Sequence, residues 1–131
     1  LGVVTAVALF ATVSSLRLQG YGTHSAPLAM ARWLGEHGTK GEGVFTAQWA
    51  DSSPLFYTAP QLQSLVALDP TVFRAKDARL FERYVAVVQG RDPDPARTIR
   101  EQFGCRWVTL WRMPNYQAVA LRLADWASPR A

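Results

Sequence analysis

Cysteine is nearly absent: Cys105 is the only one among 131 residues. A single thiol excludes an internal disulfide framework and a cysteine zinc cluster. With no histidine near it in sequence, it reads as a small buried residue rather than a nucleophile. Histidine is almost as scarce, and His24 and His37 lack metal-ligand spacing, so no metal is expected. Lysine is limited to Lys40 and Lys76; the arginines are scattered with no adjacent basic run, although the net charge is +4. Such unclustered charge is a solvated surface, and nucleic acid is not expected as a partner. The glycine-rich loops of dinucleotide-binding and P-loop proteins are missing, as is the GxSxG nucleophile elbow. No cofactor is therefore expected, and no catalytic residue is assigned. Internal repeats and low-complexity segments are absent too.

What is present is the composition of a packed domain, 49% hydrophobic and 11% aromatic with five tryptophans, at a length suited to one domain. Leu1 to Leu16 carries no charged residue. It falls short of the roughly 20 apolar residues that span a bilayer but suits the last turns of a membrane helix. A buried core helix is the alternative. The chain begins on leucine, which fits a segment of a longer protein. The expected organisation is an apolar helix or end of a membrane helix over 1–19, followed by a soluble α/β domain over 20–131.

Within that domain the pattern alternates. Ser25 and Pro27 start a helix with Leu28, Ala31 and Leu34 on one face, ended by Gly38. A polar loop, Thr39 to Gly43, leads to a strand over Val44 to Trp49. A short helical turn at Pro54 to Tyr57 precedes a second strand over Ser64 to Leu68. Asp69-Pro70 and Asp94-Pro95 are cap-and-proline helix starts. Ala75 to Gln89 reads as the clearest helix, with Leu80, Phe81, Tyr84, Val85 and Val88 on one face. Ala96, Ile99 and Phe103 line a shorter one. Arg106 to Arg112 is rich in β-branched and aromatic residues and makes a third strand, and Asn115 caps a last helix. Strands separated by helices pair in parallel. The expected fold is a small α/β sandwich, of two or three layers, with a short, mainly parallel sheet of three or more strands.

In open α/β sheets, ligands sit at the carboxyl ends of strands, which directs attention to Trp49, Asp51 and Asp69. An indole beside a carboxylate offers a stacking face and a hydroxyl acceptor, with Gln48 and Tyr57 as flanking groups. Core packing of Trp49 and helix capping by both aspartates are the plainer alternatives. If the two strand ends adjoin, Asp51 and Asp69 instead form a carboxylate pair for acid–base work.

The succession VFTAQWADSSPLFYTAPQLQSLVALDPTVF, then YVAVVQGRDPDP, then IREQFGCRWVTL resembles the soluble C-terminal segment of polytopic bacterial membrane proteins related to GT-C glycosyltransferases. That class uses lipid-phosphate-linked sugar donors, and its catalytic acids lie in loops between membrane helices. Trp49 and Asp51 are also distantly similar to the WWD motif of oligosaccharyltransferase catalytic subunits, which helps hold the acceptor peptide; Gln48 stands at its first tryptophan. The resemblance implies an extracytoplasmic, periplasmic or cell-surface domain, membrane-attached through the N-terminal apolar segment and not catalytic alone. Trp49, Asp51, Gln48, Tyr57 and Asp69 would then be candidates for binding a glycan or polypeptide acceptor. The competing expectation is a soluble ligand-binding or protein-interaction module without sugar chemistry.

Overall fold

The computed structural model of the chain describes residues 25–66, 69–110 and 114–127. The expected apolar helix at Leu1 to Leu16 and the boundary at residue 19 lie outside them. The order of elements is α1 (Ser25–His37), β1 (Gly43–Thr46), a 3-10 turn (Trp49–Asp51), α2 (Ser52–Thr58) and β2 (Gln63–Ser64). Then follow α3 (Pro70–Lys76), α4 (Ala78–Val88), α5 (Pro95–Glu101), β3 (Cys105–Thr109), a second 3-10 turn (Pro114–Tyr116) and α6 (Gln117–Ala127). The three strands form one sheet in the order β2-β1-β3, and both pairings are parallel. The expected α/β architecture is therefore the observed one.

β1 lies at the centre and is buried on both faces, as parallel strands under crossover helices must be. Its side chains alternate. Val44 points to one face, where Ala31 and Leu34 of α1 and Leu55 of α2 cover it, with Trp107 of β3 alongside. Phe45 points to the other, among Tyr84 and Val87 of α4, Ile99 of α5 and Val119 of α6. Helices on both faces make this a three-layer sandwich. Gly43 sits where β1 and β3 approach most closely: a Cβ there would lie 2.9 Å from the Gly104 carbonyl oxygen and 3.0 Å from the Cys105 Cα. Only glycine lets the pair form at this separation. Gly90 ends α4 with φ +67, and its missing Cβ leaves room for Ala118 of α6, so one residue both terminates a helix and seats another.

Several boundaries differ from those expected. β1 stops at Thr46 because Trp49 turns into the 3-10 segment. β2 is Gln63–Ser64, so of the strand expected over Ser64 to Leu68 it holds Ser64 but not Leu65 or Val66, and the last two residues lie outside the described ones; its ladder runs from the Gln63 amide on the Glu42 carbonyl to the Leu65 amide on that of Val44. The helix expected over Ala75 to Gln89 breaks at Asp77, which is extended at φ −150 and caps α4 through its carboxylate on the Leu80 amide. Asp69 and Asp94 cap α3 and α5 as expected, accepting from Thr71 and Arg97. α5 ends at Glu101, and Phe103 beyond it packs on Phe45 with ring centroids 5.6 Å apart. Asn115 lies within the second 3-10 turn, and the α-helix begins at Gln117.

Candidate functional site

The helix after β1 covers one face of the sheet and the helix after β3 the other, so the chain diverges at the carboxyl ends of these two neighbouring strands. Such a divergence opens a crevice in α/β sheets. The last rung of the ladder is the Ala47 amide on the Thr109 carbonyl, 3.3 Å. Beyond it the Asp51 amide donates to the Gln48 carbonyl at 3.0 Å, and the Ser52 hydroxyl donates to that of Trp49 at 2.7 Å. This tight turn sends two neighbouring side chains in opposite directions. Trp49 is 51% exposed and Asp51 is 1% exposed.

Both plainer expectations fail here. Trp49 is not core, because the 3-10 turn lifts it out of the strand. Asp51 does not cap α2: its backbone is already helical at φ −69, ψ −16, and its side chain makes no capping bond. The carboxylate turns inward instead, with the Thr109 hydroxyl 3.5 Å away as donor. Behind it, the Tyr84 hydroxyl donates to the carbonyls of Thr46 and Ala47, at 3.0 and 3.2 Å. Burial, with Tyr116 and Asp51 nearby, pushes the Tyr84 phenol well above its ordinary value, so it stays a neutral donor across the physiological range.

A cleft of about 440 Å³ opens beside this turn, lined by Pro27 and Leu28 of α1 and by Gln48, Ala50, Asp51 and Pro54. The Gln48 Oε1 is buried and meets no hydrogen-bond donor among the described residues; neither does the buried Thr46 hydroxyl. A buried polar atom left unmatched is costly, and native proteins tolerate few of them. The wall is mainly apolar, and the acceptor oxygens of Gln48 and Asp51 are buried in it, so a ligand that donates hydrogen bonds, such as a sugar hydroxyl or a peptide amide, reaches them only if the wall opens.

The other candidates lie elsewhere. Tyr57 projects from α2, 87% exposed. Asp69 is exposed and accepts from the Thr71 hydroxyl and amide at 2.7 and 2.8 Å, bonds that hold its carboxyl below the usual carboxylate range. It lines a separate recess with Leu65, Phe73 and Lys76. The two aspartates thus belong to different recesses, and Asp69 is occupied as a cap. Cys105 is buried, and that burial raises its thiol to about 11, far from the reactive range.

Sequence reasoning missed Glu42, expected to lie in a merely polar and flexible loop. Its carboxylate accepts from the Thr39 amide at 3.0 Å, the Trp107 indole at 2.7 Å and the Arg106 guanidinium at 2.6 Å. The amide bond from Thr39, then the indole bond and Arg106, lower its carboxyl to about 2. A depressed carboxyl stabilises the fold above its unfolded value, and that contribution disappears as pH falls through the folded one. Glu42→Gln is therefore expected to lower the thermal midpoint at pH 7. The difference from the parent should shrink as pH falls from 4.5 towards 2. Thermal melts across that window check it; an offset that persists at pH 2 would refute it. The only cue in the sequence was one acid in TKGEG, and two of its three partners, Arg106 and Trp107, lie more than sixty residues away.

No family model, curated protein or solved structure matches this chain, so the site stands on its own chemistry. Among the described residues no group of three or more His, Cys, Asp or Glu is placed to hold a metal ion, and no helix is long and apolar enough to cross a membrane.

Proposed function

We propose that this chain is the extracytoplasmic domain of a membrane glycosyltransferase-like protein, not catalytic alone, which positions a glycan or polypeptide acceptor at the carboxyl end of β1. The observation that carries this reading is the exposed Trp49 indole beside a cleft whose wall includes the buried Asp51 and Gln48, whose buried amide oxygen meets no donor among the described residues. The indole supplies an apolar face, and the acceptors take hydroxyl or amide protons. The resemblance in the WADSSPLFY and LDPTVF segments supports the same assignment.

The test is sugar transfer by the full-length parent protein in membranes at matched protein levels. Trp49→Ala is expected to lower transfer about tenfold through a raised KM for the acceptor, equivalent to the ~1.4 kcal/mol of one aromatic contact. The donor KM should not move. Unchanged transfer would leave the domain a scaffold. Several apolar stretches of about 20 residues upstream in the reading frame are a second expectation.

A further inference from the structure

β3 is an edge strand: among the described residues no strand pairs with its outer side. The direction of its main-chain groups follows from the ladder. Thr109 gives its carbonyl to Ala47 of β1, so Val108, one residue back, turns its amide and carbonyl towards the open edge. Arg106 is the extra residue of a bulge, since Gly43 pairs with Cys105 and Val44 with Trp107. Bulges re-aim a side chain and are common at sheet edges.

Beside this edge lies a groove of about 370 Å³. Ile99 of α5, Cys105 and Val108 of β3 and Leu123 of α6 give it an apolar floor, with Arg100 and Arg106 at its sides. Both arginines are largely exposed, at 58% and 68%, and Arg100 meets the Glu101 carboxylate at 3.4 Å. Glu42 holds Arg106 through one guanidinium nitrogen, which fixes the side chain while leaving other donors of the fork available.

We propose that the open edge of β3 accepts an extended segment of a partner polypeptide as a fourth strand, with an apolar residue in the groove and acidic residues against Arg100 and Arg106. Strand addition draws affinity from main-chain bonds and specificity from a pocket for alternate side chains, and this edge has both. Charge complementarity selects the occupant. A second copy of the chain would bring further arginines to the same edge, and like charges opposed across a strand pair are destabilising, whereas Glu or Asp is attracted. This inference is independent of the acceptor cleft, which shares no residue with the groove.

The experiment is amide NMR of the 131-residue chain titrated with the acetylated peptide Glu-Val-Leu-Val-Glu and, separately, with Lys-Val-Leu-Val-Lys. The acidic peptide is expected to shift the Arg106 and Val108 amides, slow hydrogen exchange at Val108, and bind about tenfold more tightly than the basic one. Arg100→Glu, at an exposed position, should reverse that preference. Val108→Pro removes an outward amide, which edge strands tolerate, and should abolish binding with the fold intact by circular dichroism; if it unfolds, Arg100→Glu alone decides. Equal affinity for the two peptides, or shifts confined to other elements, overturns the proposal. So does a concentration-dependent dimer that protects the Val108 amide without peptide.

Discussion

Phe45→Ala is expected to destabilise the domain by about 3–5 kcal/mol, the range for truncating a buried phenylalanine. That is a large part of the roughly 5–15 kcal/mol that holds a domain together. Phe45 is 1% exposed in the central strand, and its ring lies 5.2 Å from that of Tyr84 and 5.6 Å from that of Phe103. The truncation removes a side chain that α4 and the segment after α5 both pack against, and β1 has no freedom to collapse into the space because Gly43 already brings it close to β3. The thermal midpoint should fall by more than ~10 °C. Tyr84→Phe, by contrast, keeps the ring and loses only the bond to Thr46 and Ala47, at a cost of about 1 kcal/mol. A Phe45→Ala midpoint no lower than that of Tyr84→Phe would mean that the core is not centred on β1.

The alternation of strands and helices could be read from the chain because it rests on local signals, whereas the choice between two and three layers could not. Three apolar runs alternate with helical spacing, and Asp-Pro pairs mark helix starts that the structure retains at Asp69 and Asp94. Strand limits were harder, because a run such as VFTAQW still ends on an apolar residue and periodicity alone does not say where pairing stops. It stops where the Thr109 carbonyl meets Ala47, a partner far away in sequence. The break at Asp77 was hidden by the apolar spacing that continues across it. Its cue was the cap residue itself, an aspartate three before Leu80.

The site was legible by position and not by role. The strand-end argument pointed to Trp49, Asp51 and Asp69, with Gln48 and Tyr57 flanking, yet core packing and capping were the plainer accounts of the same letters. What separates them is the 3-10 turn, held by a main-chain bond from Asp51 to Gln48 and by the Ser52 hydroxyl on the Trp49 carbonyl, which periodicity does not reveal. Glu42 and Tyr84 depended on contacts across the sheet, and no spacing rule reaches that far. Asp69 shows the converse: its Pro-Thr context already explained it as a cap, and its side-chain bonds bear that out.

Gln48→Leu is expected to make the domain more stable while weakening acceptor use, a combination that a scaffold residue does not produce. The buried Gln48 Oε1 meets no donor among the described residues, so an apolar side chain of similar size relieves a desolvation cost of about 1 kcal/mol, or roughly 4 °C in midpoint. The same change removes a group that would receive a ligand proton in the cleft, and the acceptor KM of the parent protein should rise about tenfold, as for a lost hydrogen bond in a dry site. Sites that bind ligands hold such locally unfavourable groups, and stabilising them costs activity. Thr46→Val is the control. Its hydroxyl is equally unmatched but does not line the cleft, so the substitution should raise the midpoint similarly and leave KM unchanged. Asp51→Ala separates the effects less cleanly, since it strips the Thr109 hydroxyl of its carboxylate and is expected to cost about 1–3 kcal/mol along with acceptor use. A Gln48→Leu protein that is less stable than its parent would show that the amide has a structural role. One that is more stable with an unchanged acceptor KM would remove the cleft from acceptor binding and leave the exposed Trp49 indole to carry the contact alone.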